Sequence, residues 1–284
     1  MAGPVILETI AALRAWRQER RAAGKRVGLV PTMGALHPGH LSLVTGVKHA
    51  VDEAVVSIFV NPTQFAPTED FSKYPRTFEN DIKLLRETGA EAVFAPQVTE
   101  IYPAGFATMV SLEGPAKVGL EDAFRPTHFA GVATVVTKLL LQCLPDVAIF
   151  GEKDFQQLAV IRRFVRDLDI PVEILGGPTL READGLAMSS RNVYLSPQER
   201  AVAPTIHRVL REAAELARNR QPLDRIEVES AQALTAAGFV VDYFAIRDAL
   251  SLATPYGGAD PARLRLLVAA KLGKTRLIDN IAAI

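Results

Sequence analysis

VGLVPTMGALHPGH, residues 27–40, joins a short apolar run to a turn and then to the start of a helix. Val27–Val30 is typical of a buried strand. Gly34 permits a tight turn, and Pro38 suits the first turn of a helix, where its missing N–H has no partner to lose. A strand that leads directly into a helix is the repeating unit of α/β proteins.

This alternation continues through the first 178 residues. Near-continuous apolar runs such as Ala54–Val60 suit strands that are buried on both faces. The pattern predicts an α/β fold with a doubly wound parallel sheet. The predicted strands are Val27–Val30, Ala54–Val60, Glu91–Ala95, Asp146–Phe150 and Val172–Leu175, and the predicted helices are Glu8–Ala22, Leu41–Val51, Thr77–Thr88, Val132–Leu141 and Phe155–Asp167.

The pattern changes near Gly176-Gly177-Pro178, where a polar loop follows. We predict one long helix over Pro197–Asn219, because apolar residues recur there at helical spacing. A second helix and three strands complete a smaller α+β domain; they are predicted over Arg225–Ala237, Val240–Ile246, Leu264–Ala270 and Thr275–Ile278. The expected domains are residues 1–178 and residues 179–284.

Composition narrows the possible partners and location. The 32 basic residues balance the 32 acidic ones, so the chain has no global attraction to nucleic acid or to an anionic membrane. Cys143 is the only cysteine, which excludes an internal disulfide and favours a small core residue in a reducing compartment. The first residues lack the pattern of a signal peptide, and no apolar run is long enough for a membrane span. We therefore expect a cytoplasmic protein.

The most informative polar motif is His37-Pro38-Gly39-His40, directly after the first predicted strand. Its two histidines, three residues apart, would share one face of a helix. A helix N-terminus with two imidazoles can hold phosphate through backbone N–H groups, the helix dipole and ring donors. The alternatives are a turn with two solvated histidines, or a pair of metal ligands that lacks further partners.

A second motif, Asn61-Pro62-Thr63-Gln64, follows the next predicted strand. The amides of Asn61 and Gln64 donate and accept hydrogen bonds, which suits a small ligand with hydroxyl and carboxylate groups. The alternative is an ordinary Asn-Pro turn.

Gly151-Glu152-Lys153-Asp154 lies between a predicted strand and the next helix, and Gln157 follows one turn later. Lys153 could reach a phosphate as a point charge, while Asp154 is a candidate N-cap. The alternative is a well-capped surface helix.

Met188-Ser189-Ser190-Arg191 lies in the polar loop Arg181–Asn192, where two hydroxyls beside an arginine can clamp phosphate oxygens. The alternative is a disordered interdomain linker. Arg125 and His128 could add positive charge opposite a nucleotide, although a charged loop entering a helix explains them as well. His49 and His207 are interpreted as structural or surface residues.

The ordered combination of a strand, His-x-Gly-His and a later Met-Ser-Ser-Arg resembles the nucleotidyltransferase superfamily, which includes class I aminoacyl-tRNA synthetases. Within it, the chain resembles the pantothenate synthetase (pantoate–β-alanine ligase) family. Pro38 fills the variable position of the first motif, and the loop Ala253–Pro261 has no assigned function. The resemblance runs through Pro31–His40, Phe59–Phe65, Asp70–Arg76, Arg125–Val132, Gly151–Gln157, Arg181–Asn192 and Lys271–Ile281.

The resemblance implies a Rossmann-like first domain, a homodimer, and an enzyme that joins pantoate to β-alanine. ATP, with Mg²⁺ on its phosphates, would activate pantoate as an acyl-adenylate, and AMP and pyrophosphate would be released. The implied catalytic residues are His37, His40, Lys153 and Arg191. The implied ATP contacts are Met33, His37, His40, Gly151, Lys153, Asp154, Met188, Ser189, Ser190 and Arg191, and the implied pantoate contacts are Met33, Asn61, Gln64 and Gln157.

No residue is implied as a protein ligand to a metal. Two other functions remain open at this point: a nucleotidylyltransferase of the same superfamily that acts on another small acid or phosphate, and a nucleotide sensor without turnover.

Overall fold

A computed structural model describes residues 3–65, 74–256 and 258–284. The described residues form two compact units. The first unit comprises residues 1–112, 125–152 and 160–178, and the second comprises residues 113–124, 153–159 and 179–284. The chain therefore passes into the second unit after Pro178, but two earlier segments also belong to it.

The first unit contains a six-stranded sheet in which every neighbouring pair is parallel, in the order β1-β4-β3-β2-β5-β6. Helices follow the strands along the chain, and the predicted α/β fold with a parallel sheet is confirmed. In order, the elements up to residue 178 are β1 Val5–Leu7, α1 Ile10–Ala22, β2 Val27–Thr32, α2 Pro38–Lys48, β3 Glu53–Ile58, α3 Phe78–Thr88, β4 Ala92–Phe94, α4 Val98–Ile101, α5 Glu121–Phe124, α6 His128–Cys143, β5 Val147–Gly151, α7 Phe155–Asp167 and β6 Glu173–Gly177.

Branched side chains of the central strands form the core of this unit. Val30, Val56 and Val93 pack with Val44 and Val47 of α2, and all five are at most 1% exposed. Removing such side chains from water contributes about 1.5–3 kcal/mol each. The core fixes the edge of the sheet at which β2, β3 and β5 end, and ligands of open α/β sheets bind at such an edge.

Cys143 lies near the end of α6 and is 1% exposed. Burial raises the pKa of its thiol to about 12, so the thiol stays protonated at neutral pH. The prediction that it is a small core residue is confirmed.

The second unit contains a three-stranded antiparallel sheet in the order β7-β8-β9. Apolar side chains of α9 and α10, including Leu210 and Leu234, pack with Leu266 and Val268 of β8. This matches the smaller α+β part that the sequence predicted. Its elements after residue 178 are α8 Pro197–Val202, α9 Thr205–Arg218, α10 Leu223–Ala236, β7 Val240–Asp248, β8 Leu264–Leu272 and β9 Thr275–Ala282.

The prediction of one helix over Pro197–Asn219 is wrong. Two helices, α8 and α9, replace it, and the chain between them passes through Ala203 and Pro204. Proline lacks the N–H that a continuous helix needs, and its ring clashes with the preceding turn. The apolar spacing continues across this break, which is why the pattern alone did not reveal it.

Other differences concern the ends of elements. Helix α2 begins at Pro38 rather than Leu41, and α6 begins at His128 rather than Val132. No strand was predicted at the position of β1, a three-residue strand that pairs with β4. In the described part of the chain, no helix has the length and apolar character needed to cross a membrane.

Candidate active site

The turn between β2 and α2 is held in place by a carboxylate from another helix. Asp81 of α3 is 1% exposed and accepts hydrogen bonds from the backbone N–H groups of Ala35, at 3.0 Å, and Leu36, at 2.9 Å. Gly34 has a φ of 81°, a conformation that favours glycine. The sequence analysis missed Asp81, since the contact joins residues that are far apart in the chain.

His37 and His40 form a reciprocal cap at the start of α2. The Gly39 N–H donates to Nδ1 of His37 at 3.2 Å, and the His37 N–H donates to Nδ1 of His40 at 3.4 Å. A neutral imidazole that accepts at one nitrogen donates at the other. Both rings therefore carry their N–H on Nε2 when neutral.

Gln64 and Asn61 lie in contact after β3. Gln64 Nε2 lies 3.0 Å from the sulfur of Met33, and Gln64 Oε1 accepts from Asn61 Nδ2 at 3.2 Å. Asn61 is 1% exposed, and its Oδ1 also accepts from the Tyr102 hydroxyl at 2.8 Å. Asn61 thus orients the side chain of Gln64, which is itself only half-buried.

A close approach between α6 and the turn Pro62–Gln64 requires Gly131. A Cβ at Gly131 would lie 2.3 Å from the carbonyl oxygen of Thr63, so a side chain there would force the two elements apart. His128 Nδ1 lies 3.0 Å from the Gln64 carbonyl, and His128 Nε2 lies 3.2 Å from Arg125 Nη1. The contacts of His128 therefore support the backbone of Gln64.

The segment after β5 forms a 3₁₀ turn, Glu152–Asp154, which leads into α7. Gly151 ends β5, Lys153 is half-buried within the turn, and Asp154 is exposed immediately before α7. Gln157 is the third residue of α7 and is half-buried.

The neighbour of Gln157 has a different role. Gln156 is 3% exposed, accepts from the Glu121 N–H at 2.9 Å, and donates to the Pro115 carbonyl and to Asp122 Oδ1, each at 2.9 Å. It anchors the start of α7 to residues 113–124 within the second unit.

The loop that carries Met188-Ser189-Ser190-Arg191 is closed at its base. Arg181 and Ala187 form an antiparallel β-bridge, and the Met188 N–H donates to the Leu180 carbonyl at 3.0 Å. Ser189 caps a 3₁₀ turn over Ser190–Tyr194, since its hydroxyl accepts from the Arg191 N–H at 3.2 Å. The loop is a folded segment, in contrast to the linker that was the alternative.

Two further histidines, His49 and His207, were interpreted as structural or surface residues. His49 is the exposed C-cap residue of α2. His207 of α9 lies against Gly185, and its pKa is lowered by burial and by the nearby charge of Arg181.

Part of the resemblance cannot be placed. Residues 70–73 of the stretch Asp70–Arg76 lie outside the described residues. Across the residues that are described, no group of three or more His, Cys, Asp or Glu side chains is arranged to hold a metal ion.

Comparison with known proteins decides the family. The sequence model of the Pantoate-beta-alanine ligase family matches residues 5–282. The chain belongs to the pantoate–β-alanine ligase family. Relatives named pantothenate synthetase include one from Rhodopseudomonas palustris, 55% identical over 98% of both chains. Another, from Paramagnetospirillum magneticum, is 58% identical over 97% of this chain and 96% of the relative.

Solved structures in the family agree with the fold. Pantothenate synthetase from Thermus thermophilus is 47% identical, with a TM-score of 0.91 over 98% of this chain and 99% of that one. Pantoate-beta-alanine ligase from Francisella tularensis is 32% identical, with a TM-score of 0.81 over 99% of this chain and 98% of that one. The latter structure is described as a complex with beta-gamma ATP and beta-alanine.

Proposed function

We propose that this protein catalyses the ATP-dependent condensation of pantoate with β-alanine to give pantothenate. The family match across residues 5–282 is the observation that carries the proposal. The candidate motifs add chemical support, since three of them follow the strands β2, β3 and β5 and the fourth lies in a folded loop. The Francisella relative, with its ATP and β-alanine ligands, is consistent with the same substrates here.

The proposed reaction has two steps. A carboxylate oxygen of pantoate attacks the α-phosphorus of ATP, and the bond to the leaving pyrophosphate breaks. The amine of β-alanine then attacks the acyl carbon, AMP leaves with the electron pair of the acyl–oxygen bond, and the amine loses a proton. The substrate carboxylate is itself the nucleophile, so the protein has to contribute positioning and charge stabilisation rather than a serine or cysteine nucleophile.

The phosphate contacts are assigned to two sets of side-chain donors. In the first unit, the Nε2 donors of His37 and His40 stand at the N-terminus of α2, where the helix dipole also favours an anion. In the second unit, the contacts are assigned to Lys153, Ser189, Ser190 and Arg191. Of these, His37, His40, Lys153 and Arg191 are the proposed catalytic residues, because they can stabilise charge that develops on the α-phosphate and pyrophosphate.

Gly151, Asp154 and Met188 are proposed to contact adenosine. Met33, Gln64 and Gln157 are proposed to hold pantoate, and Met33 is also assigned to ATP. Asn61 belongs to the same proposed subsite, but its Nδ2 already donates to Oε1 of Gln64 and to the carbonyl of Gly131. Its contribution is therefore expected through the orientation of Gln64.

We propose that Mg²⁺ enters as part of the substrate, bound to the ATP phosphates. Mg²⁺ prefers oxygen ligands and is commonly bound through substrate phosphates, which supports this assignment. A Mg²⁺ ion on the phosphates would neutralise part of the charge that the side-chain donors do not reach.

A cytoplasmic location and a homodimer are also part of the proposal. The single buried thiol of Cys143 suits a reducing compartment. The homodimer follows from the resemblance, and light scattering on the purified chain tests it.

Product analysis tests the function directly. The protein is incubated with ATP, Mg²⁺, pantoate and β-alanine, and mass spectrometry is expected to find pantothenate and AMP in equal amounts. A stable nucleotide adduct of the acid would instead indicate a nucleotidylyltransferase, which the family match does not favour. ATP binding without any product would indicate a sensor.

A further inference from the structure

Two adjacent residues of β9 contact two segments to which ATP contacts are assigned. We propose that Asp279 and Asn280 are positioning residues. They hold the loop Arg181–Asn192 and the turn Glu152–Asp154 in the relative position that adenylate formation requires. The inference rests on the proposed function, and neither residue is proposed to touch a substrate.

Asp279 fixes the base of the loop. Its carboxylate accepts two hydrogen bonds from the Arg181 guanidinium, from Nη1 at 2.6 Å and from Nη2 at 2.9 Å. The side chains of Asp279 and Arg181 are only 3% and 19% exposed. Arg181 Nη1 also donates to the carbonyl of Gly185 at 3.1 Å, so the same guanidinium joins Asp279 to the backbone of the loop.

Asn280 fixes the turn that contains Lys153. Its Nδ2 donates to the backbone carbonyl of Lys153 at 2.8 Å, and its Oδ1 accepts from Arg265 Nε at 2.7 Å. The Arg265 guanidinium also lies over the ring of Phe155, 4.2 Å from its centroid, at the first residue of α7. Asn280 is 3% exposed, so these bonds are made away from competing water.

The two anchors are coupled through the strand. The backbone N–H of Asn280 donates to Asp279 Oδ1 at 2.7 Å. Successive side chains of a strand point to opposite faces, so one residue can reach the loop while the next reaches the turn. The pairing of β9 with β8, in which Asp279 lies opposite Val268 and Asn280 opposite Leu267, provides a rigid base for both.

Stability alone does not explain this arrangement. A buried ion pair often stabilises a fold no more than apolar residues of similar size, because both charges lose their hydration. Its particular contribution is a fixed geometry, and two parallel N–H···O bonds restrict orientation strongly. Geometry matters here since displacement of a phosphate donor by about 1 Å can slow a reaction by about 100-fold.

The test compares Asp279→Asn and Asn280→Ala with the matched control Glu227→Gln. Glu227 is also a carboxylate of the second unit that accepts from an arginine, Arg247, and from a backbone N–H, that of Ile246. It contacts neither the loop nor the turn in any described hydrogen bond. Hydrogen exchange of the ligand-free proteins and the maximal rate of pyrophosphate–ATP exchange are both measured.

We expect Asp279→Asn and Asn280→Ala to raise deuterium uptake in both segments, residues 152–157 and 181–191, whereas Glu227→Gln raises it in neither. At saturating ATP and pantoate, the two variants should exchange pyrophosphate about 10- to 100-fold more slowly than the control, measured at a temperature at which thermal melts show that all the variants are folded. If Asp279→Asn does not fold, Arg181→Lys replaces it, since lysine keeps the charge but loses the paired hydrogen bonds.

Uptake in both segments equal to that of the control, or exchange rates equal to that of the control, would overturn the positioning role. If the unmodified protein shows no pyrophosphate exchange under any substrate condition, the proposed function fails instead. The uptake comparison still decides whether Asp279 and Asn280 couple the two segments.

Discussion

The imidazole rings of His37 and His40 lie with their centroids 4.1 Å apart and their planes inclined at 44° in the first turn of α2. Each ring accepts a backbone N–H at Nδ1, so each histidine both caps the helix and presents Nε2 as a donor. A substitution at either position therefore combines a folding effect with a chemical one, and the two have to be separated.

Asparagine at position 37 separates them. Asparagine is among the best N-cap residues, so His37→Asn should keep the helix start intact, whereas His37→Ala should lose about 1 kcal/mol of stability. Loss of one preorganised donor to developing charge typically slows turnover by about 10²- to 10³-fold. We expect this decrease in kcat for His37→Asn, His37→Ala and His40→Ala. Thermal melts of the same variants measure the change in stability separately. Near-normal kcat in a folded His37→Ala/His40→Ala protein would exclude the phosphate role.

Lys153→Met should slow adenylate formation far more than it lowers stability. The side chain is half-buried at the 3₁₀ turn, so it contributes little to folding, but its charge is assigned to the phosphates. The matched control is Lys117→Met, which removes an exposed lysine paired with Glu113 in the same unit. Rapid-quench measurement of adenylate formation should show a slower first step for Lys153→Met than for Lys117→Met. Equal rates for both variants, with a lower melting temperature for Lys153→Met, would assign Lys153 to folding.

Gln64→Ala should raise the KM for pantoate selectively. The Gln64 amide is oriented by Asn61 and lies against the Met33 sulfur, within the first unit. Gln97→Ala, an exposed glutamine before α4, is the control and should leave both KM values unchanged. Steady-state kinetics with each substrate varied in turn provide the measurement. A large increase in the KM for ATP with an unchanged pantoate KM would place Gln64 in a different subsite.

The loop Arg181–Asn192 should be protected from hydrogen exchange by a non-hydrolysable ATP analogue. Its serine and arginine side chains are assigned to phosphates, while only Leu186 and Ala187 of residues 181–192 are buried. Hydrogen exchange with and without the analogue measures this directly. Identical protection in the two states would argue for a rigid loop that does not respond to nucleotide.

Gly185→Ala tests the loop Arg181–Asn192, and Gly238→Ala, between α10 and β7, is its matched control. Gly185 and Gly238 have φ angles of 92° and 93°, but a Cβ at Gly185 would lie 2.5 Å from Nδ1 of His207, whereas no atom lies within 4 Å of one at Gly238. Both alanine variants share the backbone strain, and only Gly185→Ala adds the collision. We therefore expect a larger loss of stability and of loop protection for Gly185→Ala.

Much of the fold could be predicted because strand and helix periodicities are local. The apolar runs over residues 27–30 and 54–60 predicted β2 and β3 to within two residues at each end, and the polar motifs that include His37 and Gln64 follow these strands, as predicted. Both motifs follow neighbouring parallel strands, whose ends lie at one edge of the sheet.

The contacts that join distant parts of the chain could not be predicted from local patterns. Arg276 forms two hydrogen bonds with Glu121, 155 residues away, and this contact ties residues 113–124 to the β9 strand. Asn280 reaches Lys153 over 127 residues. No periodicity encodes such pairs, so the membership of residues 113–124 and 153–159 in the second unit was not anticipated.

The most direct measurement is the exchange of labelled pyrophosphate into ATP with pantoate and Mg²⁺ present and β-alanine absent. If pantoate is activated before the amine reacts, the first step is reversible by itself, and label should enter ATP. Without pantoate no label should enter, because no group of the protein is adenylated. Exchange that requires β-alanine would contradict a free adenylate intermediate, and release of ADP without any exchange would show that the acid is activated as an acyl phosphate.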